Sequence, residues 1–383
     1  MSSRRAPLPA PDATPEPLGP VPVARPSMPM AEALAPYLAR MDEARWYSNF
    51  GPLLQEFEQR LTDRFAGPAF VATAANGTVA LTLALQAMGA RPGGFCAMPS
   101  WTFVASAHAV VQAGLVPWFV DVDPATWMLD PARLQAELAD APGQVAAALP
   151  VAAFGHVPDL SAWVRFRERT GIPVLLDAAA AFDALDAAQV PAMVSLHATK
   201  ALGVGEGGFI VADDEALIAM IRELSTFGFR GSRESRRIAT NAKLSEYAAA
   251  VGLAGLDGWP ATRLRYGLAA QRLRIALTGQ PDVVFQDGWG MDWVSSVCVV
   301  RLPDGTADAV AARLAAAGIE TRRWWGAGCH LSPAFAAAPH GDLTATAALS
   351  GSTLGLPFAA DLGLDEIDRV AEAFASVMME ISP

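Results

Sequence analysis

The sequence predicts an α/β protein: a large domain on a mostly parallel seven-stranded sheet, followed by a smaller α+β C-terminal domain. Short apolar, strand-like runs alternate with helically spaced segments from about residue 30 to residue 256, after which the pattern changes to isolated strands and helices. Size agrees, because 383 residues, 52% of them hydrophobic, are more than one ordinary domain core uses. The expected divisions are a proline-rich flexible arm over 1–27, the large domain over 28–256 and the small domain over 257–383.

Helical spacing predicts a helix at Leu53–Phe65, a strand at Phe70–Thr73, and a helix that opens at Asn76-Gly77-Thr78 and runs through Leu85. Further strands fall near Gly94–Met98, Val116–Val120, Val145–Pro150, Val174–Asp177, Met193–His197 and Gly208–Ala212. Helices near Phe103–Ala113, Pro131–Leu138 and Leu160–Thr170 separate them, and Leu244–Leu256 is helical. The small domain is read from a strand at Ser296–Leu302, a helix at Ala307–Ala317, a segment at Thr321–Trp325 and a final helix at Asp365–Val377.

A net charge of −11 offers no general attraction to nucleic acid or to an anionic membrane, so neither is an expected partner. Apolar runs such as Val145–Phe154 are broken by Pro150 and fall short of the roughly 20 residues that span a bilayer. Cys96, Cys298 and Cys329 lie far apart without a CxxC, which suggests neither a disulfide framework nor a metal site. Ser3-Arg4-Arg5 leads into prolines and not into an apolar segment, so no targeting signal is expected and a cytoplasmic location fits.

Four features point to chemistry. Asp177 ends the apolar strand Pro173-Val-Leu-Leu-Asp177, where open α/β sheets place ligand-contacting residues. Alone it would read as a turn cap, but Lys200 follows downstream. That lysine lies after an apolar strand and before Gly203, Gly205, Gly207 and Gly208, so its ammonium is expected in a crowded pocket where desolvation lowers its pKa. A surface lysine in a turn is the bland alternative. The glycine loop leads into the strand-like Phe209-Ile-Val-Ala, which argues against a dinucleotide fingerprint. Asn76-Gly77-Thr78 opens a helix whose free N–H groups suit a phosphate, with Thr78 and Ser195 as hydroxyl donors. Trp101, just beyond a strand end, can stack on a planar ring, although core packing is the default for a tryptophan. A lysine for an aldehyde, an acid for a pyridine nitrogen, a flat group and phosphate donors together meet the needs of pyridoxal phosphate (PLP).

The stretches Asn49-Phe-Gly-Pro, Glu56-Phe-Glu58, Asn76-Gly-Thr78, Pro99-Ser-Trp-Thr-Phe-Val-Ala105, Asp121-Val-Asp123, Asp177-Ala-Ala179, Ser195–Gly208, Asn241-Ala-Lys-Leu-Ser-Glu246 and Leu356-Pro357 occur in a recognisable order. With them the chain from about Trp46 to Phe374 resembles the DegT/DnrJ/EryC1/StrS aminotransferases, fold-type I PLP enzymes that commonly act on nucleotide-linked keto-sugars. The resemblance implies Lys200 as Schiff-base lysine and proton shuttle, Asp177 on the pyridine nitrogen, Trp101 stacked on the ring, and Gly77, Thr78 and Ser195 on the phosphate. It also implies that Asn241 reaches the cofactor phosphate of a neighbouring subunit, hence a homodimer with shared active sites.

L-glutamate is the implied amino donor, and a dTDP-linked 4-keto-6-deoxyhexose, giving the 4-amino sugar, is the expected acceptor. A cyclitol or another natural-product ketone is an alternative acceptor; a non-catalytic PLP-fold protein that binds a sugar nucleotide is an alternative role. Candidate substrate residues are Trp46, Tyr47 and Asn49, with Arg323, Trp325 and His330 in the small domain. Two positions depart from the family pattern: Ala180 stands where many relatives have a glutamine near the cofactor's phenolic oxygen, and Phe182 where histidine is frequent. Dehydratase relatives replace the Schiff-base lysine with histidine, so the retained Lys200 favours transamination.

Overall fold

The computed structural model describes residues 19–280 and 282–381. The large domain comprises, in order, α1 (Ala31–Ala44), α2 (Pro52–Thr62), β1 (Phe70–Ala74), α3 (Gly77–Ala87), β2 (Phe95–Pro99), α4 (Val104–Gln112), β3 (Val116–Val120), α5 (Pro131–Glu137), β4 (Val145–Ala148), α6 (Leu160–Thr170), β5 (Leu176–Asp177), β6 (Ala192–Ser195), β7 (Gly208–Ala212) and α7 (Glu215–Ser225). Helix starts follow from side chains. Asn76, Asp130, Asp159 and Asp214 each accept a first-turn N–H, and Pro131 fills the first position of α5, where its missing donor costs nothing. Gly171 ends α6 in the left-handed conformation that a residue without a Cβ adopts freely.

Strand β2 pairs in parallel with β3 and β4, β5 pairs in parallel with β6, and β7 runs antiparallel between β6 and β1. Hydrogen bonds from Ala148 N to Pro173 O and from Asp177 N to Pro150 O, both 2.9 Å, join β4 to the approach of β5. One seven-stranded sheet of order β3-β2-β4-β5-β6-β7-β1 results, parallel except at β7. This is the fold-type I architecture that the sequence predicts. Because β1, β2, β5 and β6 share one direction, their C-terminal ends gather on a single edge beside the start of β7, the place where such sheets bind ligands.

Helix α8 (Glu246–Ala276) runs unbroken through the expected boundary at residues 256 and 257. Beyond it, β8 (Val284–Phe285), β9 (Cys298–Arg301) and β10 (Thr353–Leu356) form an antiparallel sheet with β9 in the centre. Helices α9 (Ala307–Ala316) and α11 (Leu364–Ile381) pack together in this part, and α10 (Thr344–Ser352) leads into β10. No described helix is long and apolar enough to cross a membrane.

The expected flexible arm needs correction over its described part. Val21 is fully buried, donating its N–H to Gly318 O at 2.9 Å and accepting from Glu320 N at 3.0 Å, and Val23 O accepts from Phe358 N at 3.1 Å. Arg25 pairs with Glu366 at the start of α11. Residues 19–27 are thus a strap bound to the small domain, held because alternate valines turn inward while the backbone bonds at both sides. The remainder of the arm, 1–18, lies outside the described residues.

Candidate active site

A cavity of about 670 Å³ lies at the C-terminal edge of the large sheet and is closed on one side by the small domain. Lys200 lines it, following β6 through a tight turn in which Lys200 N donates to His197 O at 2.9 Å and Ala198 N to Gly205 O at 2.8 Å. Glycine is required here: Gly205 has φ +96, and a Cβ at Gly203 would fall 2.9 Å from both Ala198 O and the Met28 sulfur. Burial pushes the Lys200 ammonium below its usual range, against the opposing charge of Asp177.

Asp177, at the end of β5, lines the same cavity and is buried. Its Oδ2 accepts the Ser106 hydroxyl at 2.7 Å and its Oδ1 accepts Ala179 N at 3.1 Å. Burial raises the carboxyl's pKa, while these two bonds and the Lys200 charge act in the opposite direction.

The third wall is the start of α3. Asn76 Oδ1 accepts Val79 N at 2.9 Å, which leaves the first-turn N–H groups of Gly77 and Thr78 without an intrahelical acceptor. The helix comes this close to the sheet because both facing residues lack side chains: a Cβ on Gly208 would sit 2.9 Å from Gly77 N. Ser195, at the end of β6, completes the cradle, and its hydroxyl accepts His197 N at 3.3 Å. Free N–H groups at the positive end of a helix favour an anion.

The structure corrects the aromatic. Trp101 does not line the cavity; it is 2% exposed and packs edge-on against Trp325, 5.4 Å between centroids, in a cluster with Val122, Trp127 and Phe154. Phe103, which ends the extended segment and precedes α4, lines the cavity with 59% of its surface exposed. The apolar cluster between the domains draws Trp101 inward, whereas the onset of α4 holds Phe103 at the open edge.

Of the candidate substrate residues, Trp325 lines the cavity, stacked on Phe154 at 3.9 Å and 15°. The others do not. Arg323 pairs with Asp308 of α9. His330 Nδ1 lies 2.7 Å from Ser100 Oγ, and burial holds the imidazole below its usual range. Trp46, Tyr47 and Asn49 are exposed outside the cavity wall, as is Asn241, whose Oδ1 accepts from Lys243 Nζ. Unforeseen wall residues include Phe103, Thr102, Ser106, Phe154, Trp324 and Ala24 of the strap. A signal existed for Phe103, an apolar residue at a helix N-cap where capping chemistry would favour Ser, Thr, Asp or Asn.

The sequence profile of the DegT/DnrJ/EryC1/StrS aminotransferase family matches residues 30–375. The chain belongs to this family. Like its relatives it is a PLP-dependent aminotransferase. It is 32% identical to GDP-perosamine synthase of Caulobacter vibrioides, over 90% of this chain and 95% of that one. Among solved structures, DesI in the presence of its TDP-sugar product superposes with a TM-score of 0.85 at 33% identity, covering 94% of this chain and 93% of that one. S. venezuelae DesV gives a TM-score of 0.80 at 28% identity over 90% and 94% of the two chains.

The cavity fits the cofactor of the family: an anion cradle, a buried carboxylate, a lysine of depressed basicity and an open aromatic face border one space. Both departures from the family pattern are now located. Ala180 lines the cavity, so its missing amide bears on the site. Phe182 is 3% exposed in the core, edge-on to Trp259 at 4.8 Å with the Arg64 guanidinium 4.0 Å above its ring, and touches no cavity chemistry.

Proposed function

We propose that this aminotransferase moves an amino group from L-glutamate to a nucleotide-linked keto-sugar, with a dTDP-4-keto-6-deoxyhexose as acceptor and the 4-amino sugar as product. The observation that carries the chemistry is that Lys200, Asp177 and the free N-terminus of α3 border one cavity. The acceptor class is supported by the nucleotide sugars named for DesI and for the Caulobacter synthase.

PLP, when bound, supplies an electron sink for a carbanion at the substrate carbon. Lys200 would hold the cofactor at its aldehyde and, when free as an amine, would move a proton at Nζ, a task suited to an amine whose basicity burial has reduced. Asp177 would keep a proton on the ring nitrogen. Gly77 N, Thr78 N and the Ser195 hydroxyl would hold the phosphate, and Phe103 would offer its ring as an aromatic wall. The Phe154–Trp325 stack excludes water from the small-domain side.

Asn241 is exposed and outside its own chain's cavity, which supports a role in the site of a second copy and hence a homodimer. Mixing Lys200→Ala with Asn241→Ala subunits is expected to regenerate one working site per heterodimer; inactive mixtures would count against sharing.

The reaction is tested in two halves. With PLP and ¹⁵N-labelled L-glutamate, the visible band of the aldehyde cofactor should give way to the near-ultraviolet band of its amine form. A panel of dTDP-, UDP- and GDP-linked keto-sugars, resolved by mass spectrometry, should then yield a ¹⁵N-labelled sugar from the dTDP substrate. A persistent visible band counts against transamination from L-glutamate; label in another sugar refutes only the acceptor.

A further inference from the structure

We propose that Ser106, backed by Thr102, is a positioning residue for Asp177, fixing which lone pairs its carboxylate presents to the cavity. The inference rests on the reading above, in which a pyridine nitrogen meets Asp177. Ser106 Oγ lies 2.7 Å from Asp177 Oδ2 and 2.9 Å from Thr102 Oγ1. A serine has one hydroxyl proton, and the carboxylate contact uses it, so Thr102 must donate in the second contact. The result is a directed chain, Thr102 O–H to Ser106 O–H to Asp177.

Three features make this more than incidental satisfaction of buried groups. Thr102 and Ser106 are four residues apart across the start of α4, so the chain geometry that begins the helix also aligns the hydroxyls. Both are buried, 2% and 1% exposed, so the hydroxyls are satisfied by one another and by the carboxylate at the cavity wall. The Asp177 oxygens are tied to different partners, Ser106 on Oδ2 and Ala179 N on Oδ1, which fixes the rotation of the carboxylate plane. Lys200 acts on Asp177 through its charge alone and does not orient it. A buried carboxylate released from one of these donors would turn toward another or take up a proton. Either change moves the acceptor away from a ring nitrogen, while the phosphate cradle and Lys200 remain in place.

The test uses apoprotein titrated by tryptophan fluorescence with PLP and with its deaza analogue, in which C–H replaces the ring nitrogen. Wild type should bind PLP more tightly than the analogue. Ser106→Ala should reduce that preference roughly tenfold, the scale of one hydrogen bond to a charged group, with affinity for the analogue nearly unchanged. Thr102→Val should reduce it less, and carries the test if Ser106→Ala does not unfold cooperatively. Equal weakening of both ligands, or an unchanged preference in a folded variant, overturns the inference. If wild type binds both ligands equally, the reading of Asp177 itself fails and takes the inference with it; if it binds neither, the cofactor site fails.

Discussion

The exchange of Trp101 for Phe103 at the cavity wall can be decided by two substitutions with opposite signatures. Trp101 is 2% exposed and packed against Trp325 within a buried cluster, so Trp101→Ala leaves a cavity and should cost about 3–5 kcal/mol of folding stability. That is a large share of a total of roughly 5–15 kcal/mol. Phe103 is 59% exposed, and Phe103→Ala should cost no more than about 0.5 kcal/mol in the apoprotein. It should cost more in binding, because a stacked aromatic pair contributes about 0.5–1.5 kcal/mol beyond its buried area. The expected loss of PLP affinity is roughly tenfold. Urea unfolding of the apoproteins at one protein concentration measures the first quantity, and spectral titration with PLP the second. The reasoning is refuted if Trp101→Ala keeps its unfolding midpoint while losing PLP, or if Phe103→Ala unfolds early with PLP affinity intact.

Glu246, fully buried, accepts Leu53 N at 2.9 Å and Leu54 N at 3.0 Å and so caps α2 from the far side of the sequence. Glu246→Ala, which orphans two N–H groups, should cost about 3 kcal/mol, whereas Glu246→Gln retains one acceptor and should cost about 1 kcal/mol; equal shifts in the urea midpoint would contradict this. The hydrogen bond from Arg25 holds Glu366 below its ordinary value of 4.5, so the strap's ion pair stabilises above that pH and is lost as pH falls through the depressed folded value. Amide exchange at Val21 and Val23, corrected for the intrinsic rate, should therefore lose protection in acid, and this acid step should vanish in Arg25→Ala. Burial pushes all three thiols up, Cys329 to about 12. A thiol reagent at neutral pH should label none of them before denaturant is added, and rapid labelling of any one would place that cysteine outside the core.

The strands of the large sheet were legible because buried parallel strands read as short continuous apolar runs. Helices with local caps, such as those at Asn76 and Asp159, were legible for the same kind of reason: the signal lies within a few residues. Helix α10 has a local partner only for its first N–H group, where Asp342 Oδ1 accepts Thr344 N at 3.1 Å. Its second and third N–H groups are taken by Asp121, which accepts Ala345 N at 2.7 Å and Thr346 N at 2.8 Å from more than 220 residues away. No window of sequence contains that bond. In α8 the local signal misleads: Asp257-Gly258-Trp259-Pro260 reads as a helix end, yet the helix continues. Burial of Trp259, Tyr266 and Leu273 along the continued helix outweighs the cost of Gly258 and Pro260. The aromatic at the site failed to be legible for a similar reason. Which of two rings two residues apart faces the cavity depends on Trp325, a partner far along the chain.

The same dependence limits what the small domain's cations could tell. Arg323 and His330 were natural candidates for an anionic substrate, but folding commits them to Asp308 and Ser100. Among the described residues that line the cavity, Lys200 is the one lysine or arginine, and its amine is already assigned to the cofactor. A dicarboxylate donor and a diphosphate-bearing acceptor would both need counter-charge that this wall does not hold. The backbone N–H groups of α3, which carry about half a positive charge, can receive one phosphate but not also a donor's carboxylates or an acceptor's diphosphate. Charge accounting within one chain therefore supports the proposal that sites are shared, with anion-binding groups supplied from outside the chain that carries Lys200.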